Sequence, residues 1–136
     1  MKKLITLFVL FLGLGLANAQ ETKPTKDETV KYINDLYKKA FDSDKDVKIE
    51  SVTLDGKILL ITFASGRSFR RPIFKKESLK IVKRDNDNLF SIYYESDISE
   101  LIWAIQTEED AKRLKKALEH LIDILQNEKN ADPFGD

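Results

Sequence analysis

The sequence predicts an α+β domain: an N-terminal helix, about six antiparallel strands forming a sheet or partial barrel, and a long C-terminal helix packed on it. Three observations predict it. Ala111, Leu114, Ala117, Leu118, Leu121, Ile122 and Leu125 form one apolar stripe at helical spacing between Thr107 and about Asn127. Short β-rich runs, parted by Asp55-Gly56, Ser65-Gly66 and Asp85–Asn88, fill the middle of the chain. Turns that short join antiparallel neighbours and leave no room for parallel crossovers. Val30, Ile33, Leu36 or Tyr37, and Ala40 recur on one face of a segment from Lys26 to Phe41.

Taken in order, Lys2 and Lys3 precede an apolar run from Leu4 to Leu16 and the small-residue site Ala17-Asn18-Ala19. A basic start, an apolar run of about 7–15 residues and an A-x-A end describe a secretory signal peptide, cleaved after Ala19. The run is shorter than the ~20 residues of a spanning helix, and no Cys follows for acylation. The expected product is an exported protein of the periplasm or beyond, with no membrane insertion after cleavage. Residues 20–25 form a flexible lead-in, 26–128 one domain and 129–136 a polar tail.

Thr25-Lys26-Asp27-Glu28 is a capping box for the first helix. Strands follow at Val47–Leu54, Lys57–Ala64, Arg67–Phe74, Ser78–Arg84 and Leu89–Glu95. Asp55-Gly56 reads as a hairpin turn with φ > 0 at both positions. Pro72 has no ladder donor and marks an edge or a strand end. Glu100–Gln106 is ambiguous, since Asp97-x-x-Glu100 could cap a helix. Leu101, Trp103 and Ile105 alternate with their neighbours, which predicts a sixth strand. Thr107 then caps the long helix, with Glu108, Glu109 and Asp110 against the positive end of its dipole.

A β-meander closed by one helix through Thr107-x-x-Asp110 resembles the pleckstrin-homology-like barrels. Ile102–Ile122 (IWAIQTEEDAKRLKKALEHLI) with a terminal Asp132-Pro133-Phe134 resembles more closely a group of small exported bacterial proteins of unknown function. The matching residues are Thr107, Asp110, Lys116, Ala117, Leu118, His120, Leu121, Pro133 and Phe134. The resemblance implies the fold and carries no activity. Phosphoinositide-binding members of the pleckstrin-homology fold use a basic loop between their first two strands. Here Asp55-Gly56 stands in that place, acidic and short, which argues against that mode.

Composition narrows function. The chain has 23 basic and 23 acidic residues and no Cys. Loss of Lys2 and Lys3 with the leader leaves a slight acidic excess, which implies no nucleic-acid partner. Absence of Cys removes disulfides, thiol catalysis and cysteine metal sites. His120, the single histidine, has only Asp123 as a carboxylate at pairing distance on its helix, and reads as a packing or boundary residue. Asp42, Asp44 and Asp46 imitate the start of a calcium loop, but Val47 and Thr53 occupy its Gly and Glu positions. Asp85 and Asp87 fail in the same way, at Phe90 and Ser96. Glu50, Asp55, Glu95 and Glu100 show no spacing that selects a catalytic pair. No cofactor is expected.

One asymmetry stands out. Arg67, Arg70, Arg71, Lys75, Lys76, Lys80, Lys83 and Arg84 face a single Glu77. Cross-strand pairing and edge protection would use such charge. The sharper reading is an anion-facing patch, with Lys75, Lys76, Lys83 and Arg84 gathered at strand ends and one face of Arg67–Ile73 given to the core. Trp103, Tyr93 and Tyr94 are core candidates that could stack on a sugar, with the two tyrosines on opposite faces. The expected protein is thus a small non-enzymatic binding or scaffold domain for an unknown protein or an anionic envelope component. The alternative is a secreted inhibitor, or a hydrolase whose site forms only in three dimensions.

Overall fold

The computed structural model describes residues 22–43, 47–73, 78–95 and 99–131. The expected leader, Met1–Ala19, lies outside them. The elements run α1 (Lys26–Ala40), β1 (Ile49–Asp55), β2 (Ile58–Phe63), β3 (Ser68–Pro72), β4 (Leu79–Lys83), β5 (Phe90–Tyr94), β6 (Glu100–Ile105) and α2 (Glu108–Ala131). The expected order of a helix, six antiparallel strands and a helix is therefore present. The strands divide into two three-stranded sheets, β1-β2-β3 and β4-β5-β6, instead of one continuous meander.

The caps form as their sequences require. Thr25 Oγ1 accepts from the Glu28 N–H at 3.3 Å, and Glu28 Oε2 accepts from the Thr25 N–H at 2.8 Å. At α2, Thr107 Oγ1 accepts from the Asp110 N–H at 3.2 Å. The Asp110 carboxylate turns to Arg113 Nη1 at 3.5 Å. The helix runs four residues past the expected end at Asn127. Its stripe is fully enclosed: Ala111, Leu114, Ala117, Leu118 and Leu121 have no exposure. α2 packs on β4, β5, β6 and α1, while α1 packs on β1. Each large side chain of the stripe contributes roughly 1.5–3 kcal/mol by leaving water.

The first hairpin differs from its expected form. Asp55 pairs with Ile58, so the loop residues are Gly56 and Lys57. Only Gly56 has a positive φ, at 62°. Glycine first with an ordinary residue second is the type II′ pattern, not type I′. At the next turn Gly66 has φ 91° and donates its N–H to the Phe63 carbonyl at 2.9 Å.

β6 is a strand as expected, but its side chains do not alternate. Its burial runs half-buried, buried, buried, half-buried, buried, buried. The register against β5 shifts between Phe90 and Ile92 and again between Ile92 and Tyr93. Each shift inserts an extra β6 residue, so Leu101 and Ala104 join the core as well as Ile102 and Ile105. Ala104 takes φ 56°, left-handed backbone that alanine seldom adopts.

Helix α1 closes two open strand edges. Asn34 Oδ1 accepts the Val52 N–H of β1 at 2.8 Å. On β6, Phe41 bridges to Ile105, the Asp42 N–H reaches the Ala104 carbonyl at 2.8 Å, and Gln106 N–H reaches Ala40 at 2.9 Å. Between these contacts the Tyr37 hydroxyl donates to the Trp103 carbonyl at 2.8 Å and accepts from the Trp103 N–H at 3.0 Å. One phenol thus satisfies both backbone groups that a neighbouring strand would otherwise take.

Candidate functional site

β3 is an end strand, and its register sets what it shows. The Phe63 N–H donates to the Arg67 carbonyl and the Ile73 N–H to Lys57, so the odd residues turn their backbone to β2. The backbone groups of Ser68, Arg70 and Pro72 point outward. Pro72 thereby places its missing donor on the open edge, and its carbonyl accepts the Tyr94 hydroxyl at 2.8 Å. That bond ties the first sheet to the second.

Arg67, Phe69, Arg71 and Ile73 share one side-chain face, as their spacing implies. That face is not given over to the core. Ile73 is buried, yet Arg67 is exposed and Phe69 retains 37% of its surface. Phe69 stands opposite Ile61 at the end of the sheet, where no further strand covers it. Trp103 comes across from β6 instead, with its ring centroid 5.3 Å from Phe69 and 6.2 Å from Phe63.

The Arg71 guanidinium lies 5.1 Å from the Trp103 centroid and 5.5 Å from that of Phe69. Its Nε is buried without a hydrogen-bond partner. No ion pair to Arg71 forms among the described residues, whereas Arg70 meets Asp55 at 3.7 Å. Among the described residues, ring quadrupoles offset this cation, worth about 0.5–2 kcal/mol. The charges of Glu100 and Arg71 both act on the Tyr37 hydroxyl, the first raising its pKa and the second lowering it. Burial, more than either charge, raises the Tyr37 phenol above its ordinary range. Tyr93 is also raised, by burial and by Glu100, to which its hydroxyl bonds.

Of the expected patch, Lys83 and Arg84 are exposed at the end of β4, and Lys75 and Lys76 lie outside the described residues. Arg84 meets Asp87 at 3.5 Å in the β4–β5 turn, which reduces its local field. Asp87 Oδ1 also accepts the Leu89 N–H at 3.1 Å, an ordinary side-chain cap of a turn. Tyr93 is half-buried and Tyr94 buried, on opposite faces of β5.

Among the described residues, His120 pairs with neither Asp123 nor any other carboxylate: its Nε2 lies 2.8 Å from the Pro24 carbonyl. It fastens the chain entering α1 to the side of α2. Asp44 and Asp46 lie outside the described residues, and Asp42 is exposed. Among the described residues, no group of three His, Cys, Asp or Glu is placed to hold a metal ion, and no helix is long and apolar enough to cross a membrane.

A groove of about 430 Å³ runs between α1 and β1, with Val30 and Leu54 in its walls and Lys26 and Lys31 at its rim. Glu128 meets Lys26 at 2.9 Å and Asp35 meets Lys31 at 3.0 Å. Its cations are thus already partnered, which sets it apart from Arg71. In the sequence Arg71 and Trp103 stand apart, one in a charged run and one among aromatic core candidates. The bulges of β6 and the meeting of two sheets bring them together, and neither has a local sequence signal. No family model matches the chain, and neither a curated protein nor a solved structure matches it.

Proposed function

We propose that the chain is an exported, non-enzymatic binding or scaffold domain of the bacterial envelope that takes an anionic envelope component on its β surface. The observation that carries this reading is the β3 face, where Arg67 is exposed and Arg71 has no anionic partner among the described residues. Surface arginines on an end strand that only protected the edge would be expected to pair or to reach into water. Arg71 instead brings its guanidinium within 5.1 and 5.5 Å of the centroids of two rings. Lys83 and Arg84 add exposed charge on the other sheet, and Lys75 and Lys76 follow β3 in sequence. Export rests on the basic, apolar and A-x-A pattern of residues 1–19.

Strands in two antiparallel sheets followed by one C-terminal helix support the pleckstrin-homology-like likeness. The tight Gly56-Lys57 loop and the added α1 separate this chain from the lipid-headgroup mode of that fold. The reading is tested by retention on an anionic matrix. The protein should elute later, and with stronger salt dependence, than a variant carrying Lys75→Gln, Lys76→Gln, Lys83→Gln and Arg84→Gln. Exposed charges act over about 8–10 Å at ordinary ionic strength. Equal retention, or a difference that salt does not alter, would assign these residues to ordinary solvated surface.

A further inference from the structure

We propose that Arg71 is the receptor for a carboxylate carried on a ring, the group an aromatic or alicyclic acid or a uronate presents, with Phe69 as the surface beside which the ring lies. The inference rests on the reading of β3 as an anion-facing surface. Its test uses small ligands and a different residue, so either can fail without the other.

The chemistry follows from how Arg71 is held. Its guanidinium carbon is held between Trp103 and Phe69, 5.1 and 5.5 Å from the centroids of two rings inclined at 74° to each other. A guanidinium held this way presents its donors as a fixed fork, and little freedom remains to be lost on binding. Nε is sealed without an acceptor, so an anion cannot approach side-on through it. Approach is end-on, at the two terminal nitrogens, and a planar carboxylate matches that pair with two parallel charge-assisted bonds.

Charge and shape select among anions. Glu100 lies on β6, three residues before Trp103, whose ring meets the Arg71 guanidinium. A second negative charge on the ligand is repelled by the charge of that carboxylate, which favours a monoanion over a phosphate dianion. Phe69 keeps 37% of its surface exposed next to the guanidinium. An acid whose carboxylate sits on a ring can cover that surface while it pairs, and acetate cannot. Arg67, exposed on the same face of β3, adds long-range attraction.

Trp103 is the only tryptophan in the chain, so its emission reports directly on the cation beside it. The purified chain is titrated at constant ionic strength with cyclohexanecarboxylate, glucuronate, acetate and inorganic phosphate, none of which absorbs where tryptophan does. A saturable change is expected with one or both ring acids, in the millimolar range, with acetate and phosphate weaker. Which ring acid binds more tightly distinguishes an apolar acid from a uronate as the source. Arg71→Met keeps the apolar stem over the rings and removes the charge, and it should weaken the ring acid about tenfold. Arg71→Lys keeps the charge and loses the fork, and it should weaken it comparably; it also provides the test if the Met variant does not fold. Lys112→Gln with Lys116→Gln, on the exposed face of α2, should leave the titration unchanged. The proposal is overturned if no ring acid gives a saturable change, if folded Arg71→Met and Arg71→Lys bind as the parent does, or if phosphate binds as tightly as the ring acids.

Discussion

Replacing Tyr37 by Phe removes one oxygen atom and should unfasten α1 from β6. The hydroxyl makes two bonds to Trp103, at 2.8 Å to its carbonyl and 3.0 Å from its N–H, and Tyr37 itself has no exposure. Phenylalanine keeps the ring, which meets Phe41 edge-on at 5.7 Å, so packing changes little. What is lost is the partner of two enclosed backbone groups. Each orphaned group costs about 1–3 kcal/mol. A total loss of about 2–4 kcal/mol is expected, since some relaxation toward water at the strand edge offsets the upper end. Urea unfolding measures it: the midpoint should fall and the slope stay constant, because the surface exposed on unfolding is the same. The phenol also makes the difference depend on pH. Burial raises Tyr37 above its ordinary value of 10.0, so above that pH the unfolded chain loses this proton while the folded chain keeps it. The folded state then binds more protons, and its stability falls as pH rises. Tyr32 and Tyr93 are raised as well, and both remain in the variant. The gap between parent and variant should therefore narrow by about 1.4 kcal/mol for each pH unit above that value. A loss below about 0.5 kcal/mol at neutral pH, the scale of surface substitutions, would show that Trp103 finds other partners and that Tyr37 does not stand in for a strand.

Further expectations concern the core, a turn and the pairing at β6. Leu118→Ala or Leu121→Ala, each fully enclosed, should cost roughly 2–5 kcal/mol in the same unfolding assay, and a loss near the surface scale would mean that α2 is not docked on the sheet. Gly66→Ala should cost about 1 kcal/mol from backbone strain alone, because φ is 91° and nothing lies within 4 Å of the added methyl group. Native-state hydrogen exchange should find the Trp103 and Asp42 amides slow, with the Trp103 amide accelerated in Tyr37→Phe; unchanged protection would dissociate that amide from the phenol.

The helices were legible because their signals are local. A Thr at each cap and an apolar stripe of period 3.6 fix α1 and α2 to within a few residues. The strand hairpins were legible at Gly56 and Gly66 for the same reason, although the loop of the first is shifted by one residue and has one positive φ instead of two. β6 was found by its alternation, yet that alternation is not what the structure uses. Two bulges send Leu101 and Ile102, then Ala104 and Ile105, inward as pairs, and a bulge is decided by partners far away in the chain. His120 illustrates the same limit: its partner is the Pro24 carbonyl, 96 residues distant, where sequence offered only Asp123. The division into two sheets likewise has no local signal, and the Tyr94 hydroxyl on the Pro72 carbonyl joins them. It explains why Arg71 and Trp103 could be read only as members of separate groups.

The proposed function requires cations of the β surface to hold an anionic envelope component. The most direct measurement is the affinity of the purified chain for an acidic polysaccharide, such as a polyuronate, over a series of salt concentrations. Binding should weaken steadily as salt rises, with a shallower slope in the Lys75→Gln, Lys76→Gln, Lys83→Gln, Arg84→Gln variant and a weaker overall affinity in Arg71→Met. An absence of binding at low salt, or an affinity that neither salt nor these substitutions change, would contradict it.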